Sequence, residues 1–243
     1  MTRLFTGDYS TGDFRQWSRI ATQLDVPTAN YPKDVYSARI LPDGDGGWYA
    51  RYEVRNGDIP SFGGGQRAEV IDSAMASLAT AGQTRWYAQS VRFDPDFPVN
   101  HLSLGSGVVT QWHDSPNALY SPVLALGWPG NVGSLLDPAF RDGYWYLRYA
   151  PQSAPGVTAF VKALFEFPYR LGQWHDIKLQ VKWAKDNTGF IRLWWNGQRQ
   201  ILSNGLDTYT GPTLPLDAGP ASNQLVNGVI LQQGYYRDHD IVP

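Results

Sequence analysis

Ile177-Lys178-Leu179-Gln180-Val181-Lys182-Trp183 alternates apolar and polar side chains without a break. Successive side chains of a β-strand point to opposite faces. The pattern therefore puts Ile177, Leu179, Val181 and Trp183 on one face and Lys178, Gln180 and Lys182 on the other. A turn sequence with Asp186, Asn187 and Gly189 follows, and residues 190–195 form a second run that ends in Asn196-Gly197. Asn-Gly suits the tight turns of antiparallel ribbons. The two runs read as one long hairpin, apolar on one side and wet on the other.

The same period of two recurs outward along the chain. In residues 47–55, Trp48, Ala50, Tyr52 and Val54 share a face against Tyr49, Arg51 and Glu53, and residues 86–93 and 144–149 also read as strands. Residues 158–165 are the one candidate for a short helix and are equally readable as a strand. Residues 94–98, 115–122 and 208–220 are rich in Pro, Gly, Asn and Asp and read as loops. None of them has the composition of an interdomain linker, and no internal repeat is visible, so residues 1–243 are expected to form one domain. With 25 Gly, 17 Pro and only 17% charged residues, the chain favours short strands and turns over helices. The expected fold class is all-β, a sandwich of two antiparallel sheets. At 243 residues such a domain can bury a large core without cross-links, and with no cysteine it has neither disulfides nor thiolate chemistry.

Composition also narrows the partners. A formal net charge of −2 without a basic block argues against nucleic acid and against a membrane surface. No apolar run reaches the roughly 18 residues needed to span a bilayer. The opening Met1-Thr2-Arg3-Leu4-Phe5-Thr6-Gly7-Asp8 lacks the apolar core of a signal peptide. A protein of this kind acting on outside glycans is expected to be extracellular by another route, or virion-associated and released by lysis. Ten Trp and 14 Tyr exceed what one core requires. Flat amphipathic rings stack on sugar faces, although β-propensity and core packing account for most of them.

Three short strands carry polar residues in alternation. In Gln66-Arg67-Ala68-Glu69-Val70, Arg67 and Glu69 share a face; in Thr110-Gln111-Trp112-His113, Gln111 and His113 do. In Gln232-Gln233-Gly234-Tyr235-Tyr236-Arg237, Gln232 and Tyr236 share a face across Gly234. If these faces coincide, the set suits β-elimination next to a uronic acid. Arg67 and Gln111 would neutralise the sugar carboxylate and so acidify the neighbouring C–H. His113 or Tyr236 would take that proton, and Tyr236 would return one to the leaving oxygen. A Tyr base needs a cation beside it, and Arg67 is the candidate. Glu69, Gln232 and Arg237 are expected to contact substrate.

Arg67-Ala68-Glu69-Val70, Gln111-Trp112-His113 and Gly234-Tyr235-Tyr236 resemble, in order, the signature strands of jelly-roll alginate lyases: Arg-Xaa-Glu-Leu, Gln-Xaa-His and Lys-Xaa-Gly-Xaa-Tyr. The chain is also similar to heparin-lyase-like polysaccharide lyases at Gly12-Asp13-Phe14-Arg15-Gln16-Trp17, and from Gly172-Gln173-Trp174-His175-Asp176-Ile177 through Trp194-Trp195-Asn196-Gly197. The resemblance implies a concanavalin A-like jelly roll whose concave face binds an acidic polysaccharide, with no cofactor in the chemistry. Some relatives hold a structural calcium ion. The chain departs from the pattern at one position, where the family Lys is Gln232.

That departure keeps a second reading open, a non-catalytic glycan-binding module. One form of it is a minor tail protein of an actinobacterial phage, with other virion proteins as partners. A glycoside hydrolase would need two carboxylates flanking the bond, and only Glu69 is well placed. Plainer roles exist for each residue. Arg67 and Glu69 could be a surface ion pair, and His113 could serve the turn at Asp114-Ser115-Pro116-Asn117. Tyr236 could be a rim aromatic. Tyr235 reads as core, and His175, at a turn before a core strand, as structural. His101 and His239 read as loop residues without zinc spacing, so no metal ligand is assigned. Asp43-Gly44-Asp45-Gly46-Gly47 reads as a hairpin turn rather than a calcium loop, and Gly63-Gly64-Gly65 as a flap beside Arg67.

Overall fold

The computed structural model describes residues 4–72, 74, 76–100, 105–115, 122–128, 140–150, 161–215 and 228–237. Their strands are β1 (Arg19–Ala21), β2 (Val26–Pro27), β3 (Ala38–Pro42), β4 (Trp48–Tyr52), β5 (Gln66–Ile71), β6 (Thr84–Arg92), β7 (Gly107–Ser115), β8 (Leu124–Trp128), β9 (Tyr144–Tyr149) and β10 (Lys162–Pro168). They continue with β11 (Trp174–Lys182), β12 (Phe190–Trp195), β13 (Gln198–Arg199), β14 (Tyr209–Thr210) and β15 (Gly228–Arg237). A single 3-10 turn at Thr28–Asn30 is the only helical element among the described residues, so no helix there is long and apolar enough to cross a membrane.

The first sheet has eight strands in the order β10-β9-β8-β7-β15-β5-β1-β2. A second has the order β13-β12-β11-β6 with β14 against β12, and β3 pairs with β4 alone. The described pairings are antiparallel. The hairpin read from the sequence is β11–β12, with Ile177 opposite Trp195 and Val181 opposite Ile191. Asn196 and Gly197 both take positive φ, at 48° and 80°, which turns the chain from β12 into β13.

The apolar face of that hairpin finds its cover in the first sheet. Ile177, Leu179, Val181 and Trp183 join one buried cluster with Trp112, Leu126, Trp145, Leu147 and Phe167. Trp145 stacks on Phe167 at 4.4 Å, while Tyr87 meets Trp112 edge-on at 5.2 Å and accepts a 2.9 Å hydrogen bond from Trp183 Nε1. Large rings dominate here because each removes the most apolar area from water per residue. The third and sixth positions of the opening motif also bury: Phe14 and Trp17 pack with Tyr9, Ile20 and Val70 in a second cluster. A polar chain crosses the space between the sheets. Tyr9 Oη contacts Tyr52 Oη (2.7 Å) and donates to Gln233 (3.2 Å); Gln233 and Thr110 both donate to Gln89, at 3.0 and 2.9 Å. These bonds tie β15 to β6 and β7 behind the site.

One open reading is settled and one expectation changes. Of residues 158–165, those from 162 onward are strand β10, because Ala163, Leu164 and Phe167 pack into the inter-sheet core; residues 158–160 lie outside the described residues. Tyr209 and Thr210, read as loop, pair with Ile191 and Phe190 as β14. Residues 116–121 and 216–220 of the other expected loops lie outside the described residues, as do His101 and His239. His175 is core: it is fully buried and lies parallel to Trp195 at 5.9 Å.

Replacing Trp183 with Ala should lower unfolding free energy by about 3–5 kcal/mol, measured by urea denaturation, since a fully buried indole and its bond to Tyr87 are lost together. Burial also holds the His175 imidazole below its ordinary pKa of 6.5. The unfolded chain therefore takes up a proton that the folded one refuses, and stability should fall as pH drops below 6.5. In His175→Phe the thermal midpoint should lose that part of its pH dependence.

Candidate active site

In the first sheet β5, β15 and β7 lie side by side. Their register sets Arg67 opposite Tyr236, Glu69 opposite Gly234, Gln232 opposite Gln111 and Ile230 opposite His113. Paired residues share a face. Arg67, Glu69, Gln111, His113, Gln232 and Tyr236 therefore all point away from the inter-sheet core, the coincidence that the alternation required.

The centre of this face is Glu69, with 0% of its surface exposed. Gln111 donates one amide hydrogen to Glu69 Oε1 at 2.8 Å and the other to Gln232 Oε1 at 3.0 Å. Arg67 Nη1 stands 3.4 Å from the second carboxylate oxygen. Two strand spacings, about 9.6 Å, separate β5 from β7, and the residue between Glu69 and the far strand is Gly234. A Cβ there would lie 2.2 Å from the Ala68 carbonyl oxygen and 2.7 Å from Glu69 Cα. Only glycine fits, and its missing side chain leaves the lane through which Glu69 and Gln111 meet. Burial pushes the Glu69 carboxyl above its ordinary value, opposed by the positive charge of Arg67 and by the Gln111 bond.

Arg67 also reaches back to the Gly64 carbonyl and stacks on Tyr236, its Cζ 4.4 Å from the ring centroid. Gly63, Gly64 and Gly65 all have positive φ, at 78°, 79° and 90°. The third approaches Tyr236 so closely that a Cβ would lie 2.8 Å from the ring. The glycine run thus abuts both Arg67 and Tyr236. His113 Nδ1 lies 2.9 Å from an Asp114 carboxylate oxygen. A ring nitrogen facing a carboxylate carries the proton, which leaves Nε2 as the basic nitrogen.

The register separates His113 from Tyr236. Tyr236 is opposite Val108, five residues before His113 on β7, or about 16 Å of strand. A sugar bound between them, not a direct hydrogen bond, would link the two. Arg237 is a correction to the expected substrate contacts. It is buried, and its guanidinium is held by Gln66 at 3.0 and 2.7 Å and by Asn56 at 2.7 Å. Odd spacing from Tyr236 turns it to the other face. Glu69 likewise contacts its neighbours rather than solvent. Asp43, in the suspected calcium loop, accepts the amides of Asp45 and Gly47 at 2.9 and 2.8 Å and so closes the β3–β4 hairpin.

Three neighbours were missed by the sequence reading. Asp114 orients His113, and only its adjacency hinted at it. Arg148 aligns with Gln111 across Ala125 and binds the Trp128 carbonyl at 3.1 Å. The alternation of residues 144–149 could have flagged it. Phe62, half exposed, flanks Arg67 at 5.2 Å. A cleft of about 2350 Å³ opens elsewhere, where the β3–β4 hairpin faces β6 and β11, and none of the six site residues lines it.

Arginine, tyrosine, histidine and amide side chains thus share one row across a sheet of an antiparallel sandwich. The chain belongs to the polysaccharide lyase family, whose model matches residues 9–242. No curated protein sequence matches it. Among solved structures it is similar to the endo-β-1,4-glucuronan lyase of the fungus Trichoderma reesei, at TM-score 0.57 and 16% identity over 86% of this chain and 79% of that one. It is also similar to an alginate lyase of Pseudomonas aeruginosa, at TM-score 0.55 and 14% identity over 93% and 90%. A family 7 alginate lyase solved with a bound substrate gives TM-score 0.58 and 13% identity over 97% and 89%. These likenesses concern the fold, a β jelly roll.

A carboxyl held above its ordinary value of 4.5 binds a proton in the folded state that it has lost in the unfolded one, so its contribution to stability is lost as pH rises above 4.5. Glu69→Gln keeps an oxygen for Gln111 and abolishes the titration. Its thermal midpoint should decline less than that of the wild type as pH rises from 4.5 toward neutrality; parallel curves would place the titration elsewhere.

Proposed function

We propose that this protein is a lyase that cuts a uronate-containing polysaccharide by β-elimination, through Arg67, Gln111, His113 and Tyr236. The observation that carries the reading is the stacking of the Arg67 guanidinium on Tyr236. It supplies positive charge where a phenolate would form and where a sugar carboxylate would bind.

The hydrogen bonds refine the division of labour. Both amide hydrogens of Gln111 are committed, to Glu69 and to Gln232. Because Gln232 accepts through its oxygen, its own NH₂ group remains to donate. Gln111 is thus a positioning residue, and Arg67 with Gln232 binds the substrate carboxylate. The drain of negative charge acidifies the adjacent C–H. His113 Nε2 or the Tyr236 phenolate takes the proton, the C–O bond to the next sugar breaks, and the Tyr236 hydroxyl protonates the departing oxygen. Hydrolysis by paired carboxylates is disfavoured because Glu69 has no exposed surface. The scheme uses no cofactor. The glucuronan and alginate lyases among the structural relatives make those two polymers the first substrates to try.

One observation favours a second reading. Gln232 stands where the resemblance implies Lys, which fits a non-catalytic glycan-binding protein, free outside the cell or carried on a virion beside other virion proteins. The test follows absorbance of the new unsaturated uronate with alginate, glucuronan, heparin and cell-wall polymers, with and without calcium. A rise is expected on at least one polymer, cut by about 10²–10⁴-fold in Tyr236→Phe, the range for loss of a general acid or base. A flat trace with every polymer, accompanied by retention on one of them, would sink the lyase reading in favour of the binder.

A further inference from the structure

The outward face of the second sheet has a chemistry that the site on the first sheet does not use. Trp86 on β6 and Trp194 on β12 flank β11 with ring centroids 5.1 Å apart. Between them rises Lys178, its Nζ 5.6 Å from the first ring and 5.1 Å from the second. Four residues earlier on β11, about 13 Å along the strand, Trp174 meets Tyr49 edge-on at 5.9 Å. The Arg92 guanidinium bridges that pair, 4.9 Å from Trp174 and 5.2 Å from Tyr49. All six side chains line the 2350 Å³ cleft.

Nothing about a solvent-facing strand calls for these rings. Trp86 and Trp174 remain 37% and 43% exposed, although their neighbours on the same face, Ala88, Ser90 and Gln180, show what such positions ordinarily hold. The strands of this face carry mostly positive charge, although Asp8, Glu53, Asp94 and Asp96 also line the cleft, Glu53 being paired with Arg51 and Arg55. The strands turn Arg92, Lys178, Lys182, Arg192 and Arg199 outward against Asp176, which accepts a hydrogen bond from Ser90. Asp207, from the following loop, pairs with Arg199. This basic face belongs to a chain whose net charge is −2.

We propose that the indoles and cations on the outward face of the second sheet, at the mouth of this cleft, are an accessory binding site for an anionic polysaccharide, on the opposite outer face of the sandwich from Arg67 and Tyr236. Sugar rings stack on Trp86, Trp194 and Trp174, and their carboxylates meet Lys178 and Arg92. The inference rests on the reading of uronate polymers as the ligand. Its consequence is that a long polymer is held twice, which raises its effective concentration at the first site, whereas a short oligosaccharide gains nothing. Stacking rings with cations also suit single-stranded nucleic acid. The net negative charge of the chain and its polysaccharide lyase family favour the glycan.

Affinity electrophoresis in gels containing alginate or glucuronan tests the site without reference to turnover. The doubly substituted Trp86→Ala/Trp194→Ala chain should bind roughly fivefold or more weakly than the wild type, the scale of a lost ring contact. Lys178→Gln, which keeps both rings, should weaken binding less and flatten its dependence on salt. Cleavage of short oligouronates should be unchanged in both. Equal retardation of wild type and variants overturns the proposal, as does preferential retardation by single-stranded DNA. Weakened retention in a protein that cuts no polymer upholds the accessory site and sinks the lyase reading alone; unchanged retention in an active lyase does the reverse.

Discussion

A carboxylate cut off from water must be answered by the protein that buries it, and Glu69 is such a group at the centre of the first sheet. Its partners come from one other strand and from its own. Gln111 reaches it from β7, over a glycine of β15, and Arg67 reaches it from its own strand. Each partner is then bound by the next: Gln232 by Gln111, Tyr236 by Arg67. One unfavourable burial therefore fixes the orientation of a whole row of side chains. A half-satisfied network of this kind would cost more than an apolar core, and Gly234 keeps the space for it open, since a side chain there would collide with the backbone of Ala68 and Glu69.

The row is held from behind by different physics. Large rings from both sheets close the core, and the bonds joining Tyr9, Gln233, Gln89 and Thr110 bind β15 to its neighbours across the gap. Site residues on strands backed by such a core are placed more accurately than residues on loops could be. The same alternation gives the sandwich two usable exteriors. One carries the recessed hydrogen-bonded row; the other carries exposed indoles and cations.

Much of this was legible in the sequence because a strand has a period of two. Ile177-Lys178-Leu179-Gln180-Val181-Lys182 announced both faces of β11, and Asn196-Gly197 announced the turn after β12. The shared faces of Arg67 with Glu69, Gln111 with His113 and Gln232 with Tyr236 followed from the same rule. Period two also had the means to exclude Arg237, which stands one residue from Tyr236 and so faces the other way. Residues 162–165 resisted because a short apolar run fits helix and strand alike until something packs against it.

What the sequence by itself determined is the local alternation, hence strands, faces, turns and the all-β class, since backbone geometry imposes these on any chain with that pattern. What only the tertiary structure decided is which faces meet. That Gln111 spends both its hydrogens and so leaves Gln232 as the free donor depends on the register of three strands far apart in the chain. So does the alignment of Arg148 with Gln111, and so does the approach of Tyr49 to Trp174 from a separate hairpin. Register is set by the sum of side-chain packing across a sheet, and no single stretch of sequence contains that sum.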